Sequence, residues 1–207
     1  MGDSEGQGGV SRKELLERVE LMEAMIAEGR CTTGRYGWMF VLWGVVNLAG
    51  IAGQKQFPHS GWVWPVVLAV GWAIQIVGLM MLRRRSPRGR TVRSRNVGAV
   101  WGMMGIGLTL YVAAAMIRHI TWQLSYVSGI LMILGLAHAI SAAILRWRAQ
   151  ALVAAVWWTG GVAIYFVPDP ARVAIFAIEM FFGLVVFGLY LMARERRRGR
   201  PAVAGHA

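Results

Sequence analysis

Hydrophobic residues occur along most of the chain in long runs that short polar stretches separate. A bilayer core of about 30 Å needs about twenty mostly apolar residues per helix. Six runs approach or reach this length, and they cover 36–53, 61–82, 97–117, 122–145, 151–167 and 172–193. The pattern predicts an all-α polytopic membrane protein with six transmembrane helices that form three hairpins within 36–193.

The fifth run is the shortest, and a re-entrant or buried helix is the alternative interpretation. Arg146 and Arg148 precede it, and Pro168, Asp169 and Pro170 follow it. Such residues mark the ends of a helix. We therefore expect the fifth run to cross the membrane like the others.

The segment 11–30 has a different pattern, in which apolar residues recur at three- and four-residue spacing among glutamates. The apolar positions are Leu15, Leu16, Val19, Met22 and Ile26. The spacing predicts an amphipathic cytoplasmic helix that follows a disordered terminus, 1–10. Its acidic polar face argues against binding to an anionic bilayer. Two hypotheses remain: the helix docks or dimerises with a cytosolic partner, or it folds back on the arginine loops of its own chain.

Charge predicts the orientation of the six helices. The chain is 57% hydrophobic and carries a net charge of +12. Five Lys or Arg precede the first run, seven lie within 83–95, two lie at 146 and 148, and five lie within the basic tail, 194–207. The opposite face carries only Lys55, Arg118 and Arg172. Because cytoplasmic loops hold the excess of Lys and Arg, both termini are predicted to be cytoplasmic, in an inner (plasma) membrane of the bacterial type.

The arginine loop between the second and third runs has two interpretations, a nucleic-acid or phosphoinositide site and a topological signal. Its arginines are Arg83, Arg84, Arg85, Arg88, Arg90, Arg93 and Arg95. No aromatic residue interrupts this stretch, whereas single-strand binders stack bases on aromatic side chains. We therefore expect the arginines to contact anionic lipid headgroups, and we expect no nucleic-acid partner.

Polar residues within the spans are candidates for function because burial in a bilayer is costly for them. The four that we single out are Glu179, His138, Gln75 and Asn47. In one interpretation Glu179 and His138 form a proton or cation relay that Asn47 and Gln75 orient. In the other, all four are interhelical hydrogen-bond donors and acceptors that hold the bundle together.

Gly98, Gly102 and Gly105 lie on one face of the third run. Small residues at such spacing let another helix approach closely. Packing inside the bundle is the first interpretation, and a homodimer interface is the alternative.

The returning helices share a pattern, since "VGLMMLRRR", "AISAAILRWR" and "FGLYLMARERRR" each end in arginines. With outer turns that contain Pro, as in "WTGGVAIYFVPDPARVAIFAIEMFFGLVVFGLYLMARER", the chain from about Gly37 onward resembles the HdeD type of acid-resistance membrane protein. The resemblance implies a small six-helix bacterial inner-membrane protein. The long amino-terminal segment and the arginine loop depart from that pattern.

The sequence contains no recognised catalytic, phosphate-binding or metal-binding motif. We expect no cofactor and no metal. The predicted function is therefore that of a non-enzymatic membrane protein, which acts by assembly into a homo-oligomer or by docking a cytosolic protein through its amino-terminal helix. The alternative is a small transporter or channel for protons or cations that uses Glu179 and His138.

Overall fold

The structure is a computed structural model that describes residues 12–85, 92–118 and 124–198, and the described residues form an all-α fold. The helices in chain order are α1 (Arg12–Arg35), α2 (Gly37–Gln56), α3 (Val63–Arg85), α4 (Val92–Ile117), α5 (Leu124–Leu145), α6 (Arg148–Ala163), α7 (Asp169–Met180) and α8 (Phe187–Arg198). A 3-10 turn, Ile164–Phe166, extends α6, and a π-helical segment, Phe181–Val186, joins α7 to α8.

Six helical stretches in the described part of the chain are long and apolar enough to cross a membrane, which confirms the predicted polytopic fold. Their bounds are Gly37–Gln56, Val63–Leu82, Arg95–Ile117, Leu124–Leu145, Arg148–Phe166 and Asp169–Arg197. The fifth stretch has 19 residues and starts earlier than the sequence predicts, because the turn before it is very short. In that turn the Trp147 N–H donates to the Ala142 carbonyl at 3.0 Å, and Arg146 has a φ of 48°. These features resemble a helix end capped by a left-handed residue.

Helix α5 is the most buried of the six spans; it packs against α6 and α4, and its His138 ring contacts aromatic rings of α2 and α8. The side chains with least exposure come from several of these helices, namely Leu131, Leu145, Trp157, Ile164, Met180 and Leu191. Helix α3 packs mainly against α2, and α4 packs against α5 and α1. Most of their apolar side chains face outward, with Met103 at 70% exposure. In a bilayer these outward faces contact lipid.

Helix α2 and helix α8 approach each other closely at two glycines. A Cβ atom added to Gly188 would lie 2.7 Å from the Gly37 carbonyl oxygen, and one added to Gly37 would lie 2.8 Å from the Gly188 carbonyl oxygen. Both distances are shorter than side chains tolerate, so the crossing requires glycine at each position.

Helix α1 is longer than the predicted 11–30 segment and ends one residue before Tyr36. It contacts the neighbouring ends of α4 and α8, and every residue from 13 to 24 is exposed. Leu15, Val19 and Met22 are 51%, 45% and 46% exposed. Contact with α4 and α8 is consistent with a helix that folds back on its own chain, whereas the apolar side chains at 15, 19 and 22 are uncovered, so both hypotheses for this helix stay predictions.

Several predictions concern residues outside the described ranges. These are the disordered terminus at 1–10, the centre of the arginine loop with Arg88 and Arg90, and the tail beyond Arg198. Arg83, Arg84 and Arg85 end α3, and Arg93 and Arg95 lie in the first turn of α4. Among these five arginines the structure describes the side-chain environment of Arg95, which is exposed.

Candidate functional site: a buried polar track

His138 lies at the centre of the bundle with no exposed surface. Four aromatic rings surround its imidazole, at centroid distances of 4.9 Å for Trp101, 5.3 Å for Phe187, 5.7 Å for Phe40 and 6.3 Å for Trp157. Neither imidazole nitrogen has a hydrogen-bond partner among the described residues. Buried polar atoms in proteins are nearly always hydrogen-bonded to protein or to ordered water, so an unpartnered histidine needs an explanation.

Two further buried polar side chains lie between His138 and the predicted cytoplasmic ends of α5 and α6. Ser141 lies one turn along α5, and Gln150 lies in the first turn of α6. Gly161 faces Leu131 and Gly135 faces Trp157, so α5 and α6 run antiparallel in a register that places Gln150 within one residue of the level of Ser141. Both are 0% exposed, and the Ser141 hydroxyl and both Gln150 amide atoms lack partners.

Glu179 approaches α6 from the sixth span. Its carboxylate lies directly against Gly160, where an added Cβ would collide with Oε1 and Cδ. Glu179 is 6% exposed, and its Oε2 atom has no hydrogen-bond partner. The glycine is therefore the residue that makes room for the only acidic side chain within the six predicted runs.

The π-helical segment follows Glu179 after a single residue. Its Gly183 packs against Trp157, whose Nε1 would lie 2.9 Å from an added Cβ. The Trp157 side chain is 0% exposed, and its Nε1 is also unpartnered. Single π-helical turns inside α-helices are frequent at functional sites, because they shift the register of the side chains that follow.

We call these five residues the polar track: Gln150, Ser141, His138, Trp157 and Glu179. The structure does not join His138 to Glu179, because neither imidazole nitrogen has a partner. Trp157 packs near His138 and against Gly183, which lies four residues after Glu179. The role of the two residues in a proton or cation relay stays a prediction.

Asn47 and Gln75 are separate from the polar track. The Trp43 indole N–H donates to Gln75 Oε1, which links α2 to α3. The Asn47 amide donates to the Trp43 carbonyl at 2.8 Å, within α2. The prediction of interhelical hydrogen bonding is confirmed for Gln75 and wrong for Asn47. Both side chains bond to Trp43, and their role in orienting Glu179 and His138 stays a prediction.

Gly98, Gly102 and Gly105 do not support close packing inside the chain. A Cβ added at any of them would have no described atom within 4 Å, apart from its own local backbone. Packing of these glycines within the bundle is therefore wrong for the described residues. Their alternative role in a homodimer interface stays a prediction.

Of the residues in the polar track, sequence reasoning singled out His138 and Glu179, but it missed Gln150 and Trp157. Gln150 lies just before the predicted start of the fifth span at 151 and two residues after Arg148, where the sequence suggests a solvated turn. Within the described residues, His, Cys, Asp and Glu do not gather in groups of three that could hold a metal ion. The polar track offers hydrogen bonding and proton binding.

Comparison with known protein families, with curated proteins and with solved structures gives no match for this chain. The resemblance to the HdeD type of membrane protein therefore stays a prediction.

Proposed function

We propose that this chain is a non-enzymatic inner-membrane protein that assembles through helix α1, with α1 on the cytoplasmic face. The observation that carries the proposal is the uncovered apolar face of this helix. Leu15, Val19 and Met22 are about half exposed at the edge of a bundle whose other exposed apolar surface faces lipid. Such a face in water favours association, because burial of apolar area contributes about 25 cal/mol per Å².

The spacing of the face indicates which partner fits it. Leu15, Val19, Met22 and Ile26 follow one another at intervals of four, three and four residues, as do the core positions of a coiled coil. Val19 and Ile26 are β-branched and alternate with Leu15 and Met22. In parallel coiled coils, β-branched residues at the first core position with leucine at the second favour two strands. The pattern favours a second copy of this chain as the partner.

Charge complementarity supports the same arrangement. Arg18 and Glu23 flank the apolar positions and are five residues apart, which is the spacing of salt bridges between the strands of a parallel coiled coil. Arg18 has only an exposed intrahelical ion pair with Glu14 at 2.7 Å, and such pairs contribute little stability. Arg18 can therefore exchange this partner for Glu23 of a second copy at small cost.

The membrane also favours the parallel arrangement. Two copies inserted with the same orientation present their α1 helices on the same side and in the same direction. Two heptads alone are marginal in water, but confinement to one membrane raises the effective concentration of the two helices. The other four glutamates of α1, Glu14, Glu17, Glu20 and Glu28, lie at outer positions of the predicted coiled coil.

Exchange of the two flanking charges tests the proposal. Arg18→Glu and Glu23→Arg each place like charges across the predicted interface and should reduce the dimer fraction, whereas the double variant should restore it. The readout is disulfide cross-linking in membranes through Leu15→Cys in a Cys31→Ser background. Leu21→Cys is the matched control, because Leu21 is 61% exposed but lies outside the apolar face.

A chain that stays monomeric in membranes, or cross-links equally at positions 15 and 21, contradicts assembly through α1. The alternative is that α1 docks a cytosolic protein. Deletion of residues 1–30 should then abolish capture of that protein and leave membrane insertion unchanged.

A second candidate function is transport of protons or cations through Glu179 and His138. It is supported by the unpartnered atoms of the polar track, which lie in the interior of the bundle. Glu179→Gln and His138→Ala should each remove pH-dependent flux from proteoliposomes that contain the full chain. Wild-type proteoliposomes without flux of any ion contradict transport.

A further inference from the structure

The polar track concentrates unpartnered hydrogen-bonding atoms in one part of an otherwise apolar bundle. Among the described residues, buried side-chain atoms without hydrogen-bond partners occur at His138, Ser141, Gln150, Trp157 and Glu179, and also in the indole of Trp101. Trp101 belongs to the ring cluster around His138. An unsatisfied buried polar group costs about 1–3 kcal/mol. The polar track and Trp101 together contain six residues with such groups, which would strongly destabilise the fold if these residues served packing alone.

The side chains of the polar track also lie at successive depths along the bundle. Gln150 and Ser141 share a level near the predicted cytoplasmic end, and His138 lies about 4.5 Å further in, at three residues along α5. Gly160, against which the Glu179 carboxylate packs, lies ten residues beyond Gln150, or about 15 Å along α6. The polar track therefore extends across about half of a 30 Å bilayer core.

We infer that the polar track is a hydrated access route through which Glu179 exchanges protons with the cytoplasmic side of the membrane. The inference rests on the second candidate function, proton or cation transport, and it does not depend on assembly through α1. Its ligands are water and the proton. A buried water forms about three hydrogen bonds with polar groups that otherwise lack partners, and the track supplies both donors and acceptors for them.

The chemistry of the route is a simple protonation. A hydronium ion that enters beside Gln150 and Ser141 passes its proton along hydrogen-bonded water past His138 to the Glu179 carboxylate. The products are a neutral carboxylic acid and water. Ser141, Gln150 and the Trp157 indole keep their own protons on balance and position the water. His138 also positions this water, because a neutral imidazole has one donor and one acceptor nitrogen.

No described positive group lies within ion-pair distance of Glu179. Lys55 ends α2, Arg148 starts α6, and Arg172 lies seven residues before Glu179 in α7, where it donates to the Ile164 and Val167 carbonyls and pairs with Asp169. Helix α6 beyond Arg148 and the π-helical segment contain no charged residue. Proton uptake at Glu179 is therefore set by access to water and not by a fixed cation.

Dicyclohexylcarbodiimide labelling tests this inference, because the apolar reagent adds to protonated carboxylic acids in apolar surroundings and forms a stable N-acylurea. The full chain is labelled in inverted and in right-side-out membrane vesicles while the outer buffer is moved from acid to alkaline pH. Peptide mass analysis then measures the adduct on Glu179, and Glu179→Gln supplies the blank.

In inverted vesicles the alkaline buffer bathes the cytoplasmic face, so labelling of Glu179 should fall several-fold within the time of the experiment. In right-side-out vesicles it should stay unchanged over the same time. Ser141→Ala and Gln150→Leu should slow the response of inverted vesicles several-fold. Thr159→Val is the matched control, because Thr159 faces outward and its hydroxyl bonds only to the Ala155 carbonyl.

Equal responses in both kinds of vesicle, a response only in right-side-out vesicles, or variants with an unchanged response would overturn the access route. If the side chains serve packing alone, the two apolar variants should instead raise the melting temperature and leave the labelling response intact. A chain that lacks flux but shows the one-sided response retains the access route and loses transport, so the two ideas fail separately.

Discussion

At the residue scale, the position of Glu179 depends on the absence of a side chain at Gly160. The next residue, Gly161, is also buried, but an added Cβ there would meet the Met132 sulfur at 3.1 Å and Leu131 Cβ at 3.4 Å. A methionine side chain moves aside more easily than a buried carboxylate that fits one space. An added methyl group should therefore be tolerated at Gly161 more easily than at Gly160.

This difference gives a direct comparison. Gly160→Ala should displace the Glu179 carboxylate and lower the free energy of unfolding by about 1–3 kcal/mol, the usual cost of overpacking. Gly161→Ala should cost clearly less. The check is the melting temperature of each purified variant in the same detergent, and equal losses for both would contradict the placement of Glu179 against Gly160.

Sequence reasoning at this scale identified which polar residues enter the membrane but not what they contact. The burial of His138 and Glu179 follows from their places in apolar runs. Gln75 was predicted to bond between helices, and its partner, the Trp43 indole, depends on which faces of α2 and α3 meet. Hydropathy contains no information on that choice, so the partners of these residues required the fold.

At the element scale, the helix lengths followed from the apolar runs, and the irregularities did not. The π-helical segment lies in the sequence Phe181–Val186, where nothing marks a change of helical period. Its position opposite Trp157 suggests that packing of this large indole on Gly183 selects the wider turn. The apolar face of α1 was visible from spacing alone, because a helix in water needs a clear separation of apolar and polar sides.

The crossing of α2 and α8 provides a prediction at this scale. Gly188→Ala would force the Gly37 backbone away and should lower the melting temperature, since no side-chain rotation relieves contact with a carbonyl oxygen. Gly102→Ala is the control, because an added Cβ there would have no described atom of a neighbouring element within 4 Å. The two variants are compared by thermal unfolding of monomeric protein, and a larger loss for Gly102→Ala would contradict the observed packing.

At the scale of the whole molecule, length and hydropathy were sufficient to predict six spans. They did not predict that α5 is central while α3 and α4 lie at the periphery. In a water-soluble protein, outer helices have a polar face and inner helices do not. In lipid, both inner and outer helices are apolar all round, so hydropathy does not distinguish them. The polar residues gave the better indication, since His138 and Ser141 lie on α5 and face inward.

The orientation of the molecule determines the meaning of both proposals. Assembly through α1 requires this helix in the cytoplasm, and the access route requires that Gln150 lie near the same face. The charge distribution predicts that arrangement, with nineteen Lys and Arg on one side and three on the other. The tightly turned α5–α6 hairpin and the end of α8 would then lie beside the inner leaflet.

Cysteine labelling of intact spheroplasts tests the orientation most directly. In a Cys31→Ser background, Leu21→Cys reports on α1 and His59→Cys reports on the turn between α2 and α3, and both positions are exposed. A membrane-impermeant maleimide should label position 59 in intact spheroplasts and position 21 only after the membrane is permeabilised. Labelling of position 21 in intact spheroplasts, with position 59 protected, would contradict the arrangement on which both proposals depend.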